Sequence, residues 1–262
     1  REGALLRAAS WALDGRDAES AQRWLADLPQ GVSRRIQAVR LKLRLAQLRH
    51  DTAGAIDMVR LLTKHRAFSR DAASTVLRGL LLDAIRDTHD REQLLRVWQG
   101  WDASERQNPE LALAVLERWQ AWAPAAAEDA TGQGEASAAA QRMWQDALRH
   151  AWQGYEAASE SRRRRLIGLL EAALPRLDLP WLAQLEEAQR LHPSDPGLQY
   201  LAGQAFMQRQ LWGKAAFLLD QASRSLADAD LRRRTWCSLA RLAEERGDPS
   251  AAQAAWKKAA LA

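Results

Sequence analysis

Apolar residues return at helical spacing along almost the whole chain: Val39, Leu43 and Ala46 fall on one stripe, and Ile56, Val59 and Leu62 on the next. Residues three, four and seven apart share one side of a 3.6-residue helix, so each run predicts an amphipathic helix with one buried face. Clusters of Gly, Asp and Pro interrupt the runs, which predicts short helices joined by tight turns. The expected helices cover 2–13, 17–28, 33–49, 53–65, 70–87, 91–100, 108–122, 137–158, 161–174, 179–191, 196–209, 212–227, 229–246 and 249–261. Taken in order, they pair into about seven helical hairpins.

Turn chemistry sits where the pattern breaks: "LDGRD" around Gly15, "LRHDT" around His50, "DTHDR" around His89 and "ERGDP" around Gly247. Gly247 suits a left-handed helix end, Asp248 a cap and Pro249 the first turn of the next helix. Residues 123–140, "APAAAEDATGQGEASAAA", lack large apolar side chains and contain Gly132 and Gly134. This stretch reads as a flexible loop or linker between helical blocks at 1–122 and 141–262.

The last hairpin carries a repeat signal. Trp236, Leu239, Ala240, Ala243, Gly247, Ala252, Trp256 and Ala259 follow the spacing of the tetratricopeptide (TPR) unit, with Ala240 and Ala243 where that unit prefers Gly and Tyr. Two antiparallel helices touch closely only where small side chains meet, here Ala240 and Ala252, while Trp236, Leu239 and Trp256 fill the space between hairpins. The same spacing of twelve recurs in Gly203 with Ala215, beside Phe206 and Leu219. It recurs more weakly in Ala8 with Ser20, beside Trp11 and Trp24, and in Leu43 with Ala55. The expected fold is an all-α, tetratricopeptide-like solenoid of helical hairpins, with residues 70–190 only generically hairpin-like.

Composition agrees with helices. Of 262 residues, 47% are hydrophobic and 6% aromatic, with 12 Trp, and the remainder is rich in Ala, Leu, Arg, Gln and Glu. The net charge of +5 comes from 38 basic and 33 acidic residues, split 20 against 18 up to residue 130 and 18 against 15 after it. Neither half is a basic arm, so nucleic acid is not an expected partner. A single cysteine, Cys237, excludes an intramolecular disulfide and a multi-cysteine metal site. No apolar run approaches the ~20 residues of a membrane span, and the chain opens on "REGALL" without a Met.

Motifs of small-molecule chemistry fail on inspection. Gly213-Lys214 lacks the Gly and the Ser or Thr of a phosphate loop, since those positions hold Gln208 and Ala215. "TGQG" has Ser137 where a dinucleotide fingerprint needs its third glycine. His50, His65, His89, His150 and His192 are dispersed, and Cys237 has no neighbouring His. Catalytic residues and a metal site are therefore not expected.

Three features have binding character. Projecting onto the first helix of each hairpin selects a candidate partner groove of Arg40, Arg44 and Gln47, then Tyr200, Gln204 and Gln208, then Arg234 and Arg241. Arg and amide side chains at that spacing suit an acidic or extended partner; an ordinary solvated helix face gives the same pattern. The run Arg162, Arg163, Arg164 and Arg165 suits phosphate, acidic lipid or acidic protein, although four consecutive arginines on a helix point in four directions. Trp98 with Trp101, and Trp119 with Trp122, share helix faces that suit a pocket or serve as packing between thin, Ala-rich helices.

The segment "HPSDPGLQYLAGQAFMQRQLWGKAAFLLDQAS", His192 to Ser223, resembles the C-terminal TPR signature of the proteobacterial HemY family, most specifically in "QLWGKAAFLLDQA". Asp195-Pro196 and the downstream "LARLAEERGDPSAAQAAW" extend the match to about seventy residues. The resemblance implies an inner-membrane protein of late haem (protohaem, porphyrin) biosynthesis, whose N-terminal anchor is absent from this sequence and whose soluble TPR region favours the cytoplasmic side. It implies a non-catalytic scaffold or regulator binding partner proteins such as haem-biosynthetic enzymes. Direct binding of haem or porphyrin between hairpins by Trp and Arg is the alternative, with no other cofactor implied.

Overall fold

The computed structural model describes residues 1–67, 69–122 and 134–262. Among these there are sixteen α-helices and no strand. The chain forms two compact units, Arg1–Gln153 and Gly154–Ala262.

The first unit contains α1 (Glu2–Asp14), α2 (Ala18–Ala26), α3 (Gln30–Ser33), α4 (Ile36–Leu48), α5 (Thr52–Lys64), α6 (Arg70–Arg86), α7 (Arg91–Gln99), α8 (Ala103–Arg106), α9 (Pro109–Ala121) and α10 (Gly134–Trp152). The second contains α11 (Glu160–Ala173), a 3-10 turn (Leu174–Arg176), α12 (Leu179–Leu191), α13 (Pro196–Gln208), α14 (Trp212–Ser225), α15 (Ala229–Glu245) and α16 (Pro249–Leu261). Five consecutive pairs pack closely: α1 on α2, α4 on α5, α9 on α10, α13 on α14 and α15 on α16. The other two expected hairpins are looser. α6 packs on α5 and α9 more than on α7, and α11 and α12 each pack on α13.

Residues 123–133 of the expected linker lie outside the described residues, whereas 134–140 are the first turns of α10. Because α10 packs along α9, it belongs with the first unit, and the compact units divide at Gln153/Gly154, later than the linker-based boundary.

Small side chains sit at the helix crossings. Gly203, Ala215, Ala240 and Ala252 are buried, as are Leu43 and Ala55. A Cβ on Gly203 would lie 2.7 Å from Leu219 Cγ, so α13 and α14 approach at a distance that glycine alone permits. At the N-terminus the register differs from expectation by one residue. Ala9 and Ala21, both 0% exposed, occupy the crossing in place of Ala8 and Ser20, and Trp11 faces outward at 72% exposed. Leu5, Ala8 and Trp11 form one apolar stripe and Leu6, Ala9 and Leu13 another, so spacing alone does not choose between them. Burial chooses the second, leaving 34 residues from Ala9 to Leu43, the length of the ideal TPR unit.

The four hairpins with this spacing share a turn. Arg16, His50, Gln210 and Gly247 have φ of 58°, 54°, 56° and 71°, each seven residues beyond the crossing residue of the first helix, Ala9, Leu43, Gly203 or Ala240. Each turn also closes with the amide of the next residue, Asp17, Asp51, Leu211 or Asp248, donating to a carbonyl five residues back. Asp17, Asp51 and Asp248 then accept an amide of the following helix, supplying its cap. Gln210 and Leu211 thus make the α13–α14 turn, and Trp212 already begins α14.

In the first unit a buried ion pair fixes α8. Glu105, 7% exposed, accepts from Arg60 Nε at 2.9 Å and Nη2 at 2.6 Å, and returns a bond to its own cap by accepting the Asp102 amide at 2.8 Å. The hydrogen bond that it donates to Glu105 holds the Arg60 guanidinium above its ordinary pKa.

Two stability outcomes follow from these contacts. His50→Gly and Gln210→Gly each relieve a Cβ in the left-handed region and raise unfolding free energy by about 0.5–1 kcal/mol, while Gly247→Ala lowers it by ~1 kcal/mol, read by urea unfolding. Glu105→Ala leaves Arg60 without its carboxylate and lowers stability by about 2–3 kcal/mol, the figure for a buried pair reduced for the partial exposure of Arg60.

Candidate functional site

The candidate groove residues fall into two sets, one in each unit. In the first, α4 presents Arg40, Arg44 and Gln47 on an exposed face. Arg40 Nη2 donates to the Ala67 carbonyl at 3.0 Å, tying α4 to the end of α5. Arg44 pairs with Asp14 at 2.7 Å, joining α4 to α1. Arg44 braces neighbouring hairpins and Arg40 braces its own, and Gln47 alone of the three has only solvent-facing chemistry to offer.

In the second unit the residues of α13 and α15 bond to one another. Tyr200, 0% exposed, donates its hydroxyl to Glu171 on α11, and Arg234 on α15 pairs with the same carboxylate. Arg234 also reaches Asp230 at 3.3 Å, and Gln204 donates to Ser238 at 2.6 Å. The expectation that Tyr200 faces a partner is corrected: it lies inside the helix stack because Leu198, Leu201 and Ala205 bury α13 on nearly all sides. Gln208 and Arg241 are exposed. Burial, then the hydrogen bond and charge of Glu171, push the Tyr200 phenol well above its ordinary value of 10.0.

Glu171 and Ser238 were absent from the sequence-based selection. Glu171 had a legible signal: a lone carboxylate in "LIGLLEAALP", where every neighbour on that stripe is apolar or small. A charge buried in such a stripe requires a partner.

The four arginines begin α11, whose amide end is capped by Ser159. Arg164 pairs with Asp228 at 2.7 Å and Glu160 at 3.9 Å. Arg163 lies 5.7 Å from the Tyr155 ring, donates to the Glu156 carbonyl at 2.5 Å and approaches Asp195 at 3.9 Å. Arg162 and Arg165 are half-buried and also have partners within the protein. Beside them lies a cleft of about 480 Å³, lined in part by Arg163, Arg164, His192, Asp195 and Asp228. Its charges of both signs neutralise one another, as Arg164 and Asp228 do at 2.7 Å, and His192 Nε2 stands 2.7 Å from Glu156.

The tryptophans divide by environment. Trp98 and Trp101 are buried with ring centroids 5.5 Å apart. Arg91 stands over Trp119 at 4.7 Å and Arg118 over Trp122 at 4.4 Å, so a guanidinium occupies one face of each ring. Trp256, expected as an inter-hairpin filler, is 38% exposed and donates Nε1 to Glu244 at 2.7 Å. Among the described residues no group of three or more His, Cys, Asp or Glu could hold a metal ion.

No protein-family model and no curated protein matches the chain. Among solved structures it is similar to the crystal structure of BtubC (BKLC) from P. vanneervenii, at 14% identity and a TM-score of 0.38 over 99% of this chain and 89% of that one. A likeness that slight carries no conclusion about fold or function.

The buried phenol gives the site a pH signature. Its folded pKa exceeds the unfolded one, so its contribution to stability is complete below pH 10.0 and is lost as pH rises beyond it. Tyr200→Phe is expected to lower stability by ~1 kcal/mol at neutral pH through the lost hydrogen bond. It also flattens the alkaline fall seen in the parent, measured by urea unfolding on either side of pH 10.0.

Proposed function

We propose that the chain is a non-catalytic, TPR-like protein-binding module and, on its resemblance to the HemY family, a scaffold or regulator in late haem biosynthesis. The observation that carries the reading is the turn and crossing geometry repeated in four hairpins: a buried residue (Ala9, Leu43, Gly203 or Ala240), a left-handed residue seven positions later, and a buried alanine twelve positions from the first. Within each unit, hairpins built to one pattern present exposed side chains on successive helices, which suits recognition of another protein. The binding residues proposed are those left free on these faces, Gln47, Gln208 and Arg241, while Arg40, Arg44, Tyr200, Gln204 and Arg234 set the faces in place. The full protein is proposed to be anchored at the inner membrane; among the described residues no helix is long and apolar enough to cross one.

Mixing the purified chain with each late-acting haem-biosynthetic enzyme tests the reading by size-exclusion chromatography and interferometry. At least one enzyme is expected to form a complex, weakened about tenfold by Gln208→Ala with Arg241→Glu, as for loss of a side chain central to an interface. No complex with any of them removes the haem-scaffold reading. A haem titration runs alongside: a Soret shift at micromolar protein moves the assignment to direct haem binding.

A further inference from the structure

We propose that the cleft between α7 and α10 docks an acidic, amphipathic segment of a partner protein. This deepens the protein-binding reading and rests on it for the class of occupant. The cleft has a volume of about 380 Å³ and lies wholly within the first unit. Trp98 and Met143, each 3% exposed, form its floor together with the half-buried Leu95.

Three guanidinium groups border that floor, from Arg106 on α8 and Arg142 and Arg149 on α10. The side chains of Arg106 and Arg142 make no hydrogen bond or ion pair with any described residue. Arg149 reaches Asp146 at 3.6 Å and its side chain is 67% exposed. Asp146 is the one carboxylate among the described lining residues, and His150 Nε2 also stands 3.4 Å from it. Several other arginines of this unit are engaged, Arg44 by Asp14, Arg60 by Glu105 and Arg118 by the Thr88 carbonyl, whereas the exposed Arg7, Arg34 and Arg78 share the open bonding capacity of Arg106 and Arg142 but are not among the residues lining this cleft.

That imbalance selects the occupant. A guanidinium gains most from a carboxylate, which it binds through two parallel hydrogen bonds, and an arginine with no internal partner gives up no ion pair to do so. The Trp98 and Met143 floor takes a large apolar side chain, the usual anchor of a peptide in a groove. A helical segment with carboxylates at i and i+4 around one apolar residue meets both demands. A nucleic-acid backbone meets only the first.

The probe is a fluorescein-labelled synthetic peptide carrying Glu pairs around a central Leu-Phe anchor, titrated with the full chain and read by anisotropy. Micromolar binding is expected. Arg106→Glu with Arg142→Glu is expected to weaken it at least tenfold without moving the thermal unfolding curve. Replacing the peptide's Glu by Gln, or its anchor by Ala, has the same effect. The pair Arg7→Glu and Arg23→Glu, at exposed positions on α1 and α2, leaves binding unchanged.

Absence of binding at millimolar protein, equal binding of the Gln peptide, or equal loss in the Arg7/Arg23 variant overturns the proposal. Uptake of dodecanoate or of a single-stranded oligonucleotide in place of the peptide also overturns it. The two readings fail separately. An enzyme complex that survives Arg106→Glu with Arg142→Glu leaves the scaffold and removes the cleft; peptide binding without any enzyme complex leaves the cleft and removes the haem assignment.

Discussion

The close crossing of paired helices at small residues is the constraint on which the rest depends. Where Gly203 meets Leu219, one methyl group would stand inside van der Waals contact, and Ala9, Ala21, Ala215 and Ala240 are all without exposed surface. Thin crossings bring backbones together, so the large residues Leu62, Leu116, Leu148 and Leu219 are displaced to the spaces on either side and buried there. The turn follows from the same demand. Reversing a helix onto itself at that distance takes one residue in the left-handed region, and three of four such turns use Arg, His or Gln there where Gly would cost less.

Much of this was legible in the sequence. Helix positions followed from apolar periodicity and from Asp, Asn or Ser before a helical run, because both signals are local. The spacing of twelve at Gly203/Ala215 and Ala240/Ala252 found the crossings in the second unit, where all four residues are buried. It missed by one residue at Ala9/Ala21, where Ala8/Ser20 offers a second register with the same spacing and only tertiary burial distinguishes them. The turns at Arg16 and His50 carried no glycine at the strained position, so the sequence marked the turn without marking its geometry.

The candidate groove was less legible, for a physical reason. Polar residues at i, i+4 spacing look alike whether they face solvent or another helix's polar residue. Tyr200 and Arg234 were selected as outward readers, yet both meet Glu171, and Gln204 meets Ser238. Such pairing lies 29 to 63 residues apart in the chain and leaves no local trace. It serves the fold directly: polar groups between α11, α13 and α15 have directional partners, which fix the register of helices whose apolar faces alone would permit sliding.

Which arginines can recognise a partner then depends on what each already holds. A surface ion pair such as Arg44–Asp14 is worth little in stability, so breaking it is feasible, but it cancels most of the gain from a new carboxylate. Arg163 and Arg164 are further restrained, by a ring, a carbonyl and two or more carboxylates. Four consecutive arginines therefore advertise a binding site more loudly in sequence than they provide one in space. Arg106 and Arg142, thirty-six residues apart and unremarkable in the chain, retain their full bonding capacity beside an apolar floor. Charge density read along a sequence measures neither of the quantities that matter for binding, namely the partners already engaged and the apolar surface next to them.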